Sequence, residues 1–372
     1  MDGYVWREEE MGRMRVAVVG AGLAGLATAA AFNRTGHDVS VYEQADALRS
    51  SGLAINLWSN ATSLLPGLGI PAEAVPGEPF ARMLFRAAGR QVATAELPAR
   101  GLPHVTVERG ALLDALAATL PDDAIGYGVR RTDVDELAGE HDLVVVADGT
   151  NSTLRSAVTG PVGRRWSWRL WQANVAADLP EVPPGTGAAV TRPGLFSGIW
   201  RLAGKRVTWF VEQPGRESGD GDRLLDDLRD DEDPALRTLA VATPAKDWVE
   251  WHAQDMWPRR QLHRGNVVLV GDAAHAMLPT LGQGACQSVE DAATLAASVA
   301  AGPDLDRALR RYEAARVPRL RWILALTRAG ALGRRPGVTS RTVPAVAAAR
   351  MMARSGGAVL RRLSRPRIPV PR

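Results

Sequence analysis

One stretch of the C-terminal half, residues 266–291 (NVVLVGDAAHAMLPTLGQGACQSVED), combines a carboxylate with a set of free backbone amides. Its first five residues predict a buried strand, and Asp272 follows at the carboxyl end, where ligands bind in open α/β sheets. A glycine-containing triplet before a helical pattern consists of Gly282, Gln283 and Gly284. A helix N-terminus presents unpaired N–H groups and partial positive charge. The stretch therefore predicts an acidic group beside an anion-binding backbone site.

A glycine-rich turn near the N-terminus predicts a dinucleotide site. It follows a predicted strand at residues 15–19 and opens an alanine-rich helix. The turn consists of Gly20, Ala21, Gly22, Leu23, Ala24 and Gly25. Gly20 permits the tight turn, Gly22 lets a pyrophosphate approach the backbone, and Gly25 lets the helix pack closely on the strand. The next predicted strand ends at Glu43, whose carboxylate can accept hydrogen bonds from a ribose.

A second carboxylate follows a predicted strand at residues 142–147, because Asp148 comes directly after it. Ser152 is a candidate helix cap, and Arg155 lies at a spacing that allows it to pair back to Asp148. Arg109 stands between a predicted strand and a predicted helix. We expect it near the bound molecule, and a surface charge at a helix start is the alternative.

Tryptophan is unusually common, with 11 tryptophans against four tyrosines. Many lie between residues 163 and 214, where apolar and polar residues alternate and predict an antiparallel sheet with one aromatic face. The candidate pocket residues are Trp168, Trp171, Trp200 and Trp209. An aromatic wall would suit a flat, apolar substrate. The alternative, in which these tryptophans form core, remains open.

Composition limits the remaining possibilities. A chain of 372 residues with 46% hydrophobic residues can bury a large core, and its single cysteine, Cys286, excludes a disulfide framework. No apolar run approaches the length of a membrane span. We therefore expect a soluble cytoplasmic protein, without a metal site, preceded by a disordered leader at residues 1–13.

The charges are unevenly distributed. After Glu313 the chain contains 14 arginines and no acidic residue, although the formal net charge is only +4. A basic tail can bind nucleic acid or an anionic membrane. It lacks aromatic interleaving and any nucleic-acid-binding module, so we expect no nucleic acid partner.

Three spaced motifs carry a resemblance to a known family. GAGLAG with Glu43, ADGTNSTLR and VGDAAHAMLPTLGQG together resemble the single-component, group A FAD-dependent aromatic monooxygenases, of the para-hydroxybenzoate hydroxylase type. The resemblance covers roughly residues 15–320. GLAINLWSN and GQGACQSVEDA further resemble the branch of urate hydroxylase and zeaxanthin epoxidase.

The resemblance implies a role for each candidate residue. Gly20, Gly22 and Gly25 would hold the FAD pyrophosphate, and Glu43 the adenosine ribose. Asp272 would bind the ribityl hydroxyls. Asp148 would serve both FAD and the pyridine nucleotide. The remaining implied contacts are Arg49 and Arg109 beside the phosphates and ribityl chain, and Pro279 with the backbone of Gly282, Gln283 and Gly284 at the flavin ring.

The implied reaction uses NADH or NADPH to reduce FAD, and O2 to form a flavin C4a-hydroperoxide that hydroxylates or epoxidises the substrate. The aromatic segment contains no tyrosine or histidine suited to deprotonate a phenol. We therefore expect a small, apolar substrate that is already electron-rich and aromatic, such as an indole or a pyrrole, with an enol or an alkene to be epoxidised as alternatives. A dehydrogenase, reductase or halogenase on the same scaffold, or a non-catalytic binding protein, are the alternatives.

The expected fold is α/β, with a Rossmann-like FAD-binding domain, an inserted antiparallel substrate-binding sheet and a helical C-terminal segment. The FAD-binding domain is expected at residues 14–75, 101–162 and 255–305. The substrate-binding sheet is expected at residues 76–100 and 163–254. Residues 306–372 would form C-terminal helices and the basic tail, in a monomer or homodimer.

Overall fold

The computed structural model describes most of the chain in two sheets with helices around them. The described residues are 12–48, 52–74, 77–97, 99, 101–160, 166–192, 194–212, 221–332, 346, 350, 359, 362 and 363. Of the sequence-based candidates, Arg49 and the side chain of Trp168 lie outside this described part, as does almost all of the expected leader.

Strands and helices are interspersed along the described chain, and its longest run of consecutive strands is β9 to β12. The strands are β1 Arg15–Val19, β2 Asp38–Tyr42, β3 Ala54–Leu57, β4 Gly77–Ala87, β5 Arg90–Glu96, β6 His104–Glu108, β7 Ile125–Gly126, β8 Leu143–Val146, β9 Trp166–Ala176, β10 Gly185–Arg192, β11 Leu195–Leu202, β12 Arg206–Glu212, β13 Val249–Asp255, β14 His263–Arg264 and β15 Val267–Leu269. The helices are α1 Leu23–Arg34, α2 Ser59–Thr62, α3 Arg109–Ala117, α4 Val134–Glu140, α5 Arg155–Thr159, α6 Gly221–Arg229, α7 Pro234–Ala242, α8 Asp272–His275, α9 Gly284–Ala300 and α10 Leu305–Leu332.

The first sheet is mainly parallel and has the order β14-β15-β8-β1-β2-β7. Strand β1 lies between β2 and β8 and is parallel to both. Its last four residues are buried, as expected for a β-branched run in the middle of a parallel sheet. Helices α1 and α9 pack against each other here, and both are rich in alanine and other small residues. This is the expected Rossmann-like unit.

The second sheet has nine strands in the order β13-β9-β12-β11-β10-β4-β6-β3, with β5 paired to β4. Most neighbouring pairs are antiparallel, whereas β10 and β4 are parallel. Strands β3 and β6 pair with each other in this sheet, although the sequence assigned both segments to the FAD-binding domain. The nine-stranded sheet therefore includes strands from both sides of residues 75 and 101, and the domain boundaries stay a prediction.

One face of the second sheet has its own hydrophobic core. Trp171 and Trp209 lie on this face and pack among leucines of α6 and α7. The other face turns toward the parallel sheet. Among the described residues, no helix is both long and apolar enough to cross a lipid bilayer.

Candidate functional site

The glycine turn after β1 is packed as tightly as its spacing predicts. A Cβ atom built on Gly25 would lie 1.9 Å from the carbonyl oxygen of Gly20, and one on Gly20 would lie 2.6 Å from that of Ala147. Gly20 also has a φ of +105°, which favours glycine. At Gly22 a Cβ would meet nothing within 4 Å. The turn is therefore closed toward the protein and open on the side where a phosphate would approach.

Glu43 lies beside this turn at the end of β2. One carboxylate oxygen accepts a hydrogen bond from the Ala21 amide at 2.8 Å, and the other accepts one from the Ala45 amide at 2.8 Å. These bonds hold the carboxylate in one orientation next to the glycine turn. The predicted contact of Glu43 with a ribose remains a prediction.

Two carboxylate loops meet at the carboxyl ends of β8 and β15. Asp272 accepts a hydrogen bond from the Thr150 hydroxyl at 3.1 Å, which links the loop after β15 to the loop after β8. Arg155 is 2% exposed and strengthens this link, since its guanidinium donates to the carbonyls of Ala273 at 2.5 Å and Gly149 at 3.0 Å. The two predicted strand ends are therefore adjacent.

The residues around Arg155 behave as a helix start. The Ser152 hydroxyl accepts a hydrogen bond from the Arg155 amide at 3.0 Å, although the N-cap residue of α5 is Leu154 and not Ser152. The Asp148 carboxylate accepts a hydrogen bond from the Thr153 amide at 3.2 Å. Asp148 is absent from the lining of the cavity described below, whereas its neighbours Ala147 and Gly149 belong to it.

The triplet before α9 forms the third loop of the site. A short 3-10 turn, Pro279–Leu281, leads to Gly282, whose φ of +60° lies in the left-handed region. Pro279, Gly282 and Gly284 line the cavity. Gln283 does not, because its side chain is fully buried and accepts a hydrogen bond from Asn60 at 3.1 Å. The amide backbone at the start of α9 therefore faces the cavity, while the glutamine side chain points into the core.

These loops border one cavity of about 1360 Å³. Ligand cavities of single small molecules run to roughly 1,000 Å³, so this volume suits a large cofactor together with a second molecule. The predicted cofactor residues that line the cavity are Gly22, Leu23, Ala24, Arg109, Asp272, Pro279, Gly282 and Gly284. Arg109 is the first residue of α3, as the sequence indicated.

The far side of the cavity is the aromatic face of the nine-stranded sheet. Trp200 stacks on Phe210 with ring centroids 5.8 Å apart, and Phe196 lies 6.1 Å from Phe210. Phe85 joins this wall from β4. The wall is apolar and borders the same cavity as the cofactor loops. A flat molecule placed against the wall would therefore lie in one cavity with a molecule bound at the loops.

Of the tryptophans predicted to form a wall, Trp200 lines the cavity, whereas Trp171 and Trp209 are buried outside its described lining. Trp209 pairs across the strands with Ile199 and Trp200 with Thr208, so their side chains project from opposite faces of the sheet. Trp209 is fully buried and stacks on Trp248 at 4.6 Å. The predicted single aromatic face is therefore two faces, of which one lines the cavity and one builds a core.

His275 and Cys286 have structural surroundings. The His275 imidazole is fully buried and lies 2.5 Å from the Asp291 carboxylate. The Cys286 thiol is fully buried as well, and this burial raises its pKa to about 12. A thiol with such a pKa is not a nucleophile at neutral pH.

Comparison with known proteins identifies the family. A family model described as an FAD binding domain matches residues 117–327, more than half of the chain, and one described as an NAD(P)-binding Rossmann-like domain matches residues 18–53. The FAD-dependent urate hydroxylase of Klebsiella pneumoniae is 31% identical over 83% of this chain and 87% of its own. The 3-amino-4-hydroxybenzoate 2-monooxygenase of Streptomyces cremeus is 32% identical over 82% and 84%. The chain belongs to the FAD-dependent monooxygenases.

A solved structure supports this assignment for this monooxygenase. Klebsiella pneumoniae HpxO, crystallised with FAD and uric acid, superposes with a TM-score of 0.82 and 25% identity, over 97% of each chain. FAD is thus the cofactor that the family takes. The glycine turn, whose open side would admit a pyrophosphate, and the amides at the start of α9 fit such a molecule.

Proposed function

We propose that this FAD-dependent monooxygenase hydroxylates a planar, electron-rich aromatic or heteroaromatic small molecule, with NADH or NADPH as reductant and O2 as co-substrate. The observation that carries the proposal is the continuity of the cavity. It runs from the glycine turn and Asp272 to the wall formed by Phe85, Trp200 and Phe210.

The chain's own residues would hold FAD along the near side of the cavity. The turn at Gly22, the guanidinium of Arg109 and the carboxylate of Asp272 line that side. When bound, FAD supplies the electron transfer and the oxygen activation. The N-terminal amides of α9 present partial positive charge, which stabilises negative charge on a reduced cofactor.

The aromatic wall would exclude water and orient the substrate ring. Among the described residues that line the cavity there is no tyrosine or histidine. The charged residues in the described lining are Arg109, Arg192, Lys246, Asp247 and Asp272. This set supports a substrate that is already electron-rich and does not depend on a phenol-deprotonating tyrosine or histidine.

Urate and 3-amino-4-hydroxybenzoate are the substrates in the names of two relatives. Both are planar rings that carry oxygen and nitrogen atoms, so they belong in a first substrate screen.

The test is a turnover assay of the FAD-loaded protein with NADH and with NADPH. The panel contains urate, 3-amino-4-hydroxybenzoate, indole and a simple phenol. We expect an electron-rich ring to stimulate NAD(P)H oxidation and oxygen uptake, and its product to be one oxygen atom heavier. A product without added oxygen would indicate a dehydrogenase, and no stimulation by any ring would indicate a binding protein. Activity on simple phenols alone would overturn the substrate class.

A cytoplasmic location and a monomeric or homodimeric state stay predictions from the sequence.

A further inference from the structure

A set of charged and amide side chains lies buried behind the cofactor loops, outside the cavity. We call it the buried polar cluster, and it consists of Asn60, Gln287, Glu290, Asp291, Arg316 and Arg319. Each of these residues is at most 5% exposed. They come from α2, α9 and α10, so the cluster joins three separate parts of the chain.

Glu290 is the centre of the cluster. One of its oxygens accepts hydrogen bonds from Asn60 at 2.6 Å and from Arg319 at 2.5 Å. The other accepts from Arg316 at 2.8 Å and again from Arg319 at 2.5 Å. Arg319 therefore binds the carboxylate with two nitrogens, which fixes its orientation as well as its charge.

Asp291 extends the cluster to the loop after β15. It accepts a hydrogen bond from the Gly271 amide at 2.8 Å and from Arg316 at 2.6 Å. Burial acts to raise the pKa of Asp291, but the charges of His275 and Arg316 outweigh it and hold this pKa at about 2. The carboxylate is thus ionised when it binds the amide that precedes Asp272.

The cluster also reaches two neighbouring segments of the cavity lining, at Trp58 and at Gly282. Asn60 follows Trp58, and it donates to the side chain of Gln283 in the triplet before α9. Trp58 and Gly282 are close, since a Cβ atom on Gly282 would lie 3.0 Å from the Trp58 indole nitrogen. Both segments line the cavity, and both are attached to Glu290 through Asn60 and Gln287.

We propose that Arg316 and Arg319 of α10 are positioning residues for FAD. Through Glu290 and Asp291 they fix the three loops that contain Gly271, Gln283 and Trp58, and so the width of the space that the flavin enters. Neither arginine lines the cavity, so the effect acts through the loops. The inference rests on FAD binding in this cavity, and wild-type protein that binds no FAD would overturn that assignment instead.

The experiment compares Arg319→Met with Arg86→Met. Arg86 forms a buried ion pair with Asp233, at 3.0 Å, and neither residue belongs to the described lining of the cavity. Both variants remove a buried guanidinium from a carboxylate, so both should lower the melting temperature. We expect Arg319→Met to weaken FAD binding about tenfold or more in a fluorescence titration and to shift the flavin reduction potential, with Arg86→Met within about twofold of wild type.

Two further variants complete the test. Arg319→Lys keeps the charge without the two-nitrogen contact, and should recover only part of the FAD affinity. Asn60→Ala removes one donor to Glu290 and leaves both arginines in place, so it should fold even if Arg319→Met does not, and weaken FAD about threefold. Wild-type FAD affinity in Arg319→Met or Asn60→Ala, or an equal loss in Arg86→Met, would overturn the proposal.

Discussion

The two sheets contribute to the cavity in different ways. The parallel sheet contributes backbone and carboxylate groups from the ends of its strands, at Gly22, Gly149 and Asp272. The nine-stranded sheet contributes side chains from one of its faces, such as Trp200 and Phe210. In the first sheet, the residues that line the cavity come from the loops that follow the strands. In the second sheet, successive residues of a strand point to opposite faces, so the position of a residue along its strand decides whether its side chain reaches the cavity.

For the loops that follow the strands of the parallel sheet, the strongest test is the variant Gly25→Ala. The added Cβ would overlap the carbonyl oxygen of Gly20 at 1.9 Å, so the turn must move. We expect FAD affinity, measured by fluorescence titration, to fall by about 100-fold or more, which corresponds to about 2.7 kcal/mol. Gly22→Ala is the matched control for folding, because its Cβ would meet no protein atom within 4 Å. Its free energy of unfolding should lie within about 0.5 kcal/mol of that of wild type, yet it should bind FAD less tightly. Equal free energies of unfolding for the two variants would contradict the geometry of the turn.

The alternation of side chains between the two faces of the second sheet is tested by replacing one tryptophan on each of two adjacent strands by alanine. Trp209→Ala removes a fully buried side chain from the core face and should lower the free energy of unfolding by about 3–5 kcal/mol. FAD affinity of the folded fraction should stay near wild type. Trp200→Ala, on the cavity face, should instead raise the KM for the aromatic substrate. Denaturant unfolding and steady-state kinetics separate the two effects. A rise in KM with Trp209→Ala would contradict the assignment of Trp209 to the core face and of Trp200 to the cavity face.

Acid sensitivity should arise at His104, the first residue of β6 in the nine-stranded sheet. This imidazole accepts a hydrogen bond from the Ser59 amide and packs on Trp58 with ring centroids 5.1 Å apart. Burial lowers its pKa from 6.5 to about 4. Between these values the unfolded chain binds the proton and the folded chain does not, so stability is lost as pH falls from 6.5 toward 4. The loss amounts to about 3 kcal/mol, from 1.36 kcal/mol per pKa unit.

The measurement is the free energy of unfolding of wild type and His104→Asn across that pH range. The variant should be less stable at neutral pH, since it loses ring packing, but its stability should depend less on pH. An unchanged slope would remove His104 as the cause.

The smallest effect is expected at Cys286. Its thiol is fully buried with a pKa of about 12, so a thiol reagent should not modify the native protein at pH 8 over the course of a standard assay. The same reagent should label the chain fully in denaturant. Rapid labelling of the native state would show that the α9 N-terminus opens far more readily than its packing indicates.

The loops of the parallel sheet were largely predictable from the sequence, because the sequence signals for them are local. A strand, a glycine turn and a helix in succession allow little besides the observed loop, and Asp272 lies three residues after the end of β15. The same holds for Ser152, whose contact with Arg155 is within one turn.

The sheet half was less predictable. Alternation shows that Trp200 and Trp209 project from different faces once they lie on paired strands, but the pairing register itself is not local. Which face becomes core depends on α6 and α7, which pack on the side of Trp209. The sequence offered one further signal, since Glu290 and Asp291 stand in a helix of small apolar residues and so had to be paired when buried. Their partners Arg316 and Arg319 lie on another helix, and spacing alone does not reveal them.

The measurement that tests the central claim most directly is the visible absorption spectrum of the protein after incubation with FAD and removal of the unbound FAD, before and after denaturation. Two flavin bands, with FAD released into the supernatant on unfolding, are the result expected if the glycine turn, Asp272 and the α9 N-terminus form one cofactor site. A folded protein that stays colourless and takes up no FAD would contradict the assignment of the cavity.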